Sequence, residues 1–242
     1  MSPEPLVLLP GMGCTPALWS RLDLGCRPVI TPVLDQPSVD AQVVRLLDEL
    51  PPRFALAGLS LGGVLALALV RTAPERVTRL ALMSMNPYAP TSLQRAAWRE
   101  QRRALASGVD ARKLQRRLIP VLLSPAVIGD RPDLVELTLG MAEELGAEAY
   151  DTQLQLQSTR IDERPGLGRI TCPTLVLAAR QDRLCSLDRH IEMARLVPDC
   201  ELVVVEGSAH LSPLEQPTVV GSHLRRGAES SLALGGSTQP QL

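Results

Sequence analysis

The sequence predicts an α/β fold: a doubly wound, mostly parallel sheet of about six strands, with a helical lid inserted between two of them. Two observations carry this expectation. Near both ends of the chain, short apolar runs closed by Gly, Pro or Asp alternate with stretches of helical periodicity. Between about Pro87 and Arg164 the alternation stops, and only helical stretches rich in Leu, Ala, Glu and Arg remain.

Taken in order, Leu6 to Leu9 is an apolar run stopped by Pro10-Gly11, Val29 to Leu34 is a second, and Phe54 to Ala57 a third. Strands of a parallel sheet are buried on both faces, so continuous apolar runs rather than alternating ones are what such strands look like. Val39 to Leu50 has helical spacing, with Val43, Val44, Leu46, Leu47 and Leu50 expected on one inward face. Val64 to Ala73 follows as helix and Val77 to Met83 as strand. After the gap come Thr174 to Ala178 as strand, Leu187 to Leu196 as helix, Glu201 to Val205 as strand and Pro213 to Leu224 as helix. Residues 1–86 and 165–224 are thus expected to form the core and 87–164 the lid. Residues 225–242, with Ser230-Ser231, Gly235-Gly236 and no periodicity, are expected to be a disordered tail.

Composition narrows the chemistry. With 242 residues and 45% hydrophobic content the chain can bury a full-sized core. A formal charge of −1 offers no field to recruit nucleic acid or an anionic membrane, so neither is an expected partner. Aromatics are 2% of the chain, which predicts aliphatic pocket walls and argues against stacking on sugars or bases. The five cysteines (Cys14, Cys26, Cys172, Cys185 and Cys200) are scattered, with no C-x-x-C pair and no His at metal-ligand spacing. They are expected to be reduced and mostly structural, with no metal site and no cofactor. The longest apolar run, Val64 to Val70, is far too short for a bilayer, and the N-terminus has neither a basic n-region nor a cleavage site, which predicts a cytoplasmic address.

Gly58-Leu59-Ser60-Leu61-Gly62-Gly63 follows an apolar strand and opens an apolar helix. On a sharp strand-to-helix turn a serine hydroxyl is presented at the end of the sheet, and glycines on either side spare collisions with neighbouring elements. The segment alone also permits a plainer role, with Ser60 as a helix cap and the glycines serving close packing. A serine nucleophile needs donors for the oxyanion, and Pro10-Gly11-Met12-Gly13 after the first strand is a glycine-rich loop that can supply one. The expected donors are the backbone N–H groups of Met12 and Leu61; a simple turn at 10–13 is the alternative.

Such a serine also needs a base. Of three histidines, His210 lies just past a strand, ahead of a helix start marked by Ser212, Pro213 and Glu215 as a capping box. His190, beside Arg189 and Glu192 in a helical pattern, and His223, near the end of the last helix, are expected at the surface. Asp182, where the preceding strand runs into a loop, is the favoured carboxylate to orient the imidazole, with Asp188 and Asp162 as substitutes.

The order Ser60, Asp182, His210, with the glycine-rich loop at 10–13, the turn at 58–63 and the Gln181-Asp182-Arg183 and Ser208-Ala209-His210 segments, resembles the α/β-hydrolase superfamily. The resemblance runs from the first strand to about Leu224 and is specifically to the small cytosolic carboxylesterase-like members. It implies cleavage of a carboxylic ester, or a related thioester or lactone, through an acyl-enzyme intermediate. Acyltransferases, carbon-carbon bond hydrolases and perhydrolases share the same triad, and non-catalytic ligand-binding proteins share the fold. Two departures stand out. The His-Gly usual in the first loop is Pro10-Gly11 here, and the chain starts at what would be the family's third strand, which implies a trimmed sheet.

Within the lid, Arg95, Arg99, Arg102, Arg103, Arg112, Lys113, Arg116 and Arg117 crowd around few acids, mainly Glu100 and Asp110. A solvated helix face accounts for them; the resemblance to pimeloyl-ester carboxylesterases also permits docking of an anionic substrate or an acidic acyl carrier. Trp98, Leu105, Leu114, Leu118, Val121 and Leu122 read as lid core, and Gly11, Leu59, Trp98, Leu118 and Leu122 are the candidate substrate-binding residues.

Overall fold

The computed structural model describes residues 4–229. Six strands, all parallel, form one sheet in the order β2-β1-β3-β4-β5-β6: β1 Leu6–Leu9, β2 Val29–Ile30, β3 Phe54–Leu59, β4 Val77–Met83, β5 Thr174–Ala179 and β6 Cys200–Val205. Successive residues of a strand face opposite sides of the sheet, and here they divide between two cores. Val7, Leu9, Leu56, Leu80, Leu82 and Val176 pack with helices α1 (Val39–Glu49), α2 (Leu61–Thr72) and Met193 of α8 (Leu187–Leu196). Leu8, Ala57, Leu59, Met83 and Leu177 point to the other side, where Leu214 of α9 (Ser212–Glu215), Val220 and Leu224 of α10 (Pro217–Glu229) and insertion residues pack on them. Leu8 and Leu9 are both wholly inaccessible, and burying each such side chain stabilises the fold by about 1.5–3 kcal/mol before the cost of ordering it.

The insertion between β4 and β5 is helical throughout: α3 Ser92–Ala106, α4 Ala111–Leu122, α5 Pro125–Asp130, α6 Pro132–Ser158 and α7 Arg164–Leu167. α6 is broken at Gly146, whose φ of 73° and ψ of 174° leave the helix; a left-handed φ is the reason a glycine stands there. α3 starts with a capping box between Thr91 and Gln94.

Several expectations are corrected by this architecture. The run Val29 to Leu34 pairs only over Val29–Ile30, at the sheet edge. In α1, Val44 points to solvent at 61% exposure, and Gln42 takes an inward place instead, its Oε1 accepting the N–H groups of Asp35 and Gln36. The single helix expected over Pro213 to Leu224 is two, because Gln216 before Pro217 is held out of helical geometry at φ −131°, ψ 58°. Ser212 and Glu215 form no capping box: Leu211 is the N-cap of α9 and the Ser212 hydroxyl has no partner. The tail expected from Arg225 overlaps α10, which continues through Glu229; residues 230–242 lie outside the described residues.

The chain runs outward from β1 to β2 and then returns to the other side of β1 as β3. The loops leaving the C-terminal ends of β1 and β3 therefore diverge, and such a switch point opens a crevice at that edge of the sheet. Leu9 is paired with Gly58, so Pro10-Gly11 and Leu59-Ser60 leave the sheet side by side.

Candidate active site

Ser60 closes β3 and precedes α2 with φ 55° and ψ −111°, a conformation that costs a non-glycine residue on the order of 1–3 kcal/mol. Its surroundings hold it there. The Ser60 N–H donates to the Met83 carbonyl at 2.9 Å, and its carbonyl accepts from Val64 at 3.1 Å. A Cβ on Gly58 would overlap the Gly62 backbone, and one on Gly62 would overlap the Leu9 carbonyl, so the strand and helix cross at backbone contact. Ser60 remains partly accessible while every residue from Leu61 to Val70 is buried.

The glycine-rich loop lies against the turn: a Cβ on Gly11 would stand 3.5 Å from the Ser60 Cβ and 3.0 Å from Leu59 Cδ2. Gly13, at φ 71°, donates its N–H to Gln153 Oε1 of α6 at 2.9 Å, so the insertion grips this loop. Among the described residues no acceptor takes the N–H of Met12 or of Leu61, and both follow directly on loops that converge at Ser60. Free backbone donors beside a hydroxyl are what an oxyanion requires.

His210 and Asp182 meet after β6 and β5. His210 Nδ1 donates to Asp182 Oδ2 at 2.8 Å, with side-chain exposures of 4% and 0%. Asp182 Oδ1 accepts from the N–H groups of Leu184 and Cys185 at 2.8 and 2.9 Å. Burial raises the Asp182 pKa, but the charge of His210 and the hydrogen bonds from His210, Cys185 and Leu184 outweigh it and hold the carboxyl below its ordinary value. A proton fixed on Nδ1 leaves Nε2 as the lone-pair nitrogen. The two loops are laced by Gln181 N–H to the Ser208 carbonyl, 2.9 Å. Asp162 pairs with Arg164 instead, and among the described residues the imidazole of His210 bonds to Asp182 rather than to Asp188.

Asp182, Cys185 and His210 also bring their ligand-capable atoms within 4.8 Å of one another. Asp182 and His210 are already hydrogen-bonded to each other, and burial pushes the Cys185 thiol up to about 12. The five cysteines are free thiols, with Cys14, Cys172 and Cys185 buried.

The remaining candidates fall in two places. Leu59, Leu118 and Leu122 belong to the core that includes Leu211, next to His210, whereas Trp98 packs with Tyr150, Leu154 and Met12 under Arg160. Two cations of the insertion find their acids on α6: Arg102 pairs with Asp151, and Arg112 with Glu136 and Glu143, whereas Lys113 pairs with Asp110 close by in sequence.

His190 is not at the surface: it is fully buried, its Nδ1 donating to the Ser186 carbonyl at 3.0 Å and its Nε2 accepting the Met85 N–H at 3.2 Å. It ties the start of α8, just beyond Asp182, to the end of β4. His190 and Met193, three residues apart, share the inward face of α8. Glu215, read from the sequence as a cap, accepts the N–H groups of Ala209 and Ser124. The bond of Glu215 to Ser124 and that of Gln153 to Gly13 have no local signal, because the partners lie 91 and 140 residues away.

Residues 6–221 match the Alpha/beta hydrolase family, and the chain belongs to it. It is 29% identical to a pimeloyl-[acyl-carrier protein] methyl ester esterase of Aromatoleum aromaticum, covering 90% of this chain and 95% of that one. It is also 29% identical to a 3-oxoadipate enol-lactonase of Acinetobacter baylyi, over 76% of this chain and 66% of that one. The structure superposes on an esterase from Thermogutta terrifontis with a TM-score of 0.80 at 23% identity, covering 93% and 89% of the two chains. Within this family the chain is an esterase-like hydrolase. Among the described residues no helix is long and apolar enough to cross a membrane.

Proposed function

We propose that the protein hydrolyses a carboxylic ester, or a related thioester or lactone, through an acyl-enzyme on Ser60. The observation that carries this reading is the buried His210–Asp182 pair at the same sheet edge as the strained Ser60. Ser60 Oγ attacks the carbonyl carbon while His210 Nε2 takes the hydroxyl proton, and the resulting oxyanion is met by the N–H groups of Met12 and Leu61. The tetrahedral adduct collapses, the bond to the leaving oxygen or sulfur breaks, and His210 returns the proton to it. Water then repeats the sequence on the acyl-serine, with His210 as base, and releases the acid. Residues 87–164 act as the lid, with Trp98, Leu118 and Leu122 as the acyl-facing candidates. The test is turnover of p-nitrophenyl esters of increasing chain length by the native chain and by Ser60→Ala; the reading expects Ser60-dependent release of nitrophenol.

A second reading concerns what the acyl part of the ester is attached to. Arg99, Arg103, Arg116 and Arg117 are exposed on α3 and α4 without an ion pair among the described residues, and a relative is named for an acyl-carrier-protein ester. An acidic carrier would be drawn to them. Turnover of a carrier-bound methyl ester should then weaken with rising salt and in Arg116→Ala/Arg117→Ala, while p-nitrophenyl turnover stays constant.

A further inference from the structure

Both backbone neighbours of His210 are tied to the insertion. The Leu211 N–H donates directly to the Leu122 carbonyl at the end of α4, 3.1 Å away. The Ala209 N–H donates to Glu215 Oε1 at 2.8 Å, and the other oxygen of that carboxylate accepts the Ser124 N–H, 2.9 Å away at the start of α5. Ala209, Leu211 and Ser124 are all buried, so none of these N–H groups can exchange its partner for bulk water without the segment moving. Bonds from N–H to a carboxylate are roughly twice as strong as neutral ones, which makes Glu215 the stiffest element of the bracket. A capping role does not account for it: Leu211 is the N-cap of α9 and its N–H goes to Leu122, not to Glu215.

We infer that Glu215 is a positioning residue that couples the α4–α5 junction of the insertion to the His210 loop, so that the seating of the insertion sets the reach of the base toward Ser60. The inference rests on the reading of Ser60, His210 and Asp182 as a triad. Its mechanical content is that the insertion cannot swing about the α4–α5 junction and leave the base in place. Displacing a catalytic group by about 1 Å can cost as much as 100-fold in rate.

Ser124 allows the bridge to be cut from the side remote from the base. Its φ of −68° and ψ of 152° are those of proline, and Leu123 before it, at φ −118° and ψ 150°, is compatible with a following proline. Ser124→Pro removes the N–H that Glu215 accepts. Ser124→Ala keeps that N–H and loses only the Oγ cap on Val127, so it serves as the reference. Relative to Ser124→Ala, Ser124→Pro should lower kcat on p-nitrophenyl butyrate about tenfold, with KM within about twofold, and should displace the acid limb of the kcat/KM pH profile. Equal kcat in the two folded variants would overturn the inference, as would a rise in KM alone, which is what a purely structural role in the insertion would give. Should Ser124→Pro fail to fold, Glu215→Gln, which sets an NH2 group against one of the two N–H donors, is read by its rate of labelling with a fluorophosphonate; about tenfold slower supports the coupling and an unchanged rate refutes it. Ser60→Ala run alongside separates the two readings: activity surviving in Ser60→Ala sinks the triad, whereas a dead Ser60→Ala beside a fully active Ser124→Pro sinks only the coupling.

Discussion

His210 Nδ1 stands 2.8 Å from Asp182 Oδ2, while the other Asp182 oxygen is held by two backbone N–H groups of the same loop. Three hydrogen bonds on its two oxygens fix the orientation of the carboxylate, so the aspartate presents Oδ2 to one nitrogen. In Asp182→Asn, Oδ1 can keep its backbone donors, but the amide NH2 then faces Nδ1 and forces the proton to Nε2. The imidazole would lose its role as base. We expect kcat to fall by about 10³–10⁴-fold with little change in the thermal midpoint, read by ester turnover and by melting on the same preparation.

His190 makes a prediction about pH. Burial, the largest influence, lowers its pKa below the ordinary 6.5; the Ser186 carbonyl and Asp182 oppose the shift and His210 adds to it. Because the folded value lies below the unfolded one, the unfolded chain binds more protons in the interval between them. The associated stability is fully present above about pH 6.5 and is lost as pH falls through the folded value. His190→Gln, which keeps an acceptor for Met85, removes this titration. The thermal midpoint should therefore decline less between pH 7 and pH 5 in His190→Gln than in the native chain; parallel declines would exclude His190 as a source.

The crossing of α2 over β1 leaves no room at Gly62. A Cβ there meets the Leu9 backbone carbonyl, which cannot move without shifting β1 and the loop carrying Met12. Gly62→Ala should destabilise the fold by about 2–3 kcal/mol, the upper part of the range for overpacking, measured as a lowered urea midpoint at constant slope. Gly108, whose φ of 90° calls for glycine but whose surroundings are open, is the contrasting position: there only backbone strain opposes alanine.

How much of this was legible in the sequence depends on how far each residue's partners lie along the chain. β4 and α8 have the bounds their periodicity predicts, because apolar spacing and flanking breakers are local signals. β2 is shorter than its apolar run, since at the sheet edge only Val29 and Ile30 find a partner in β1. The motif at 58–63 and the loop at 10–13 announced themselves through glycines that the crossing requires. What stayed hidden is the set of polar groups that hold the site from a distance: His190 from α8, Gln153 from α6 and Glu215 from α9. Each satisfies a buried backbone N–H on another element, and no spacing rule connects a side chain to an amide across a hundred residues. The arginines of the insertion make the same point, since the acids that pair with Arg102 and Arg112 come from α6, a separate helix packed on α3 and α4.

The central claim is that Ser60 carries the acyl group, and the most direct measurement is mass spectrometry of the protein after reaction with a fluorophosphonate ester probe. The account predicts one adduct per chain, located on the peptide containing Ser60, absent in Ser60→Ala and accompanied by complete loss of ester turnover. An adduct on another residue, or turnover that survives in Ser60→Ala, would contradict it.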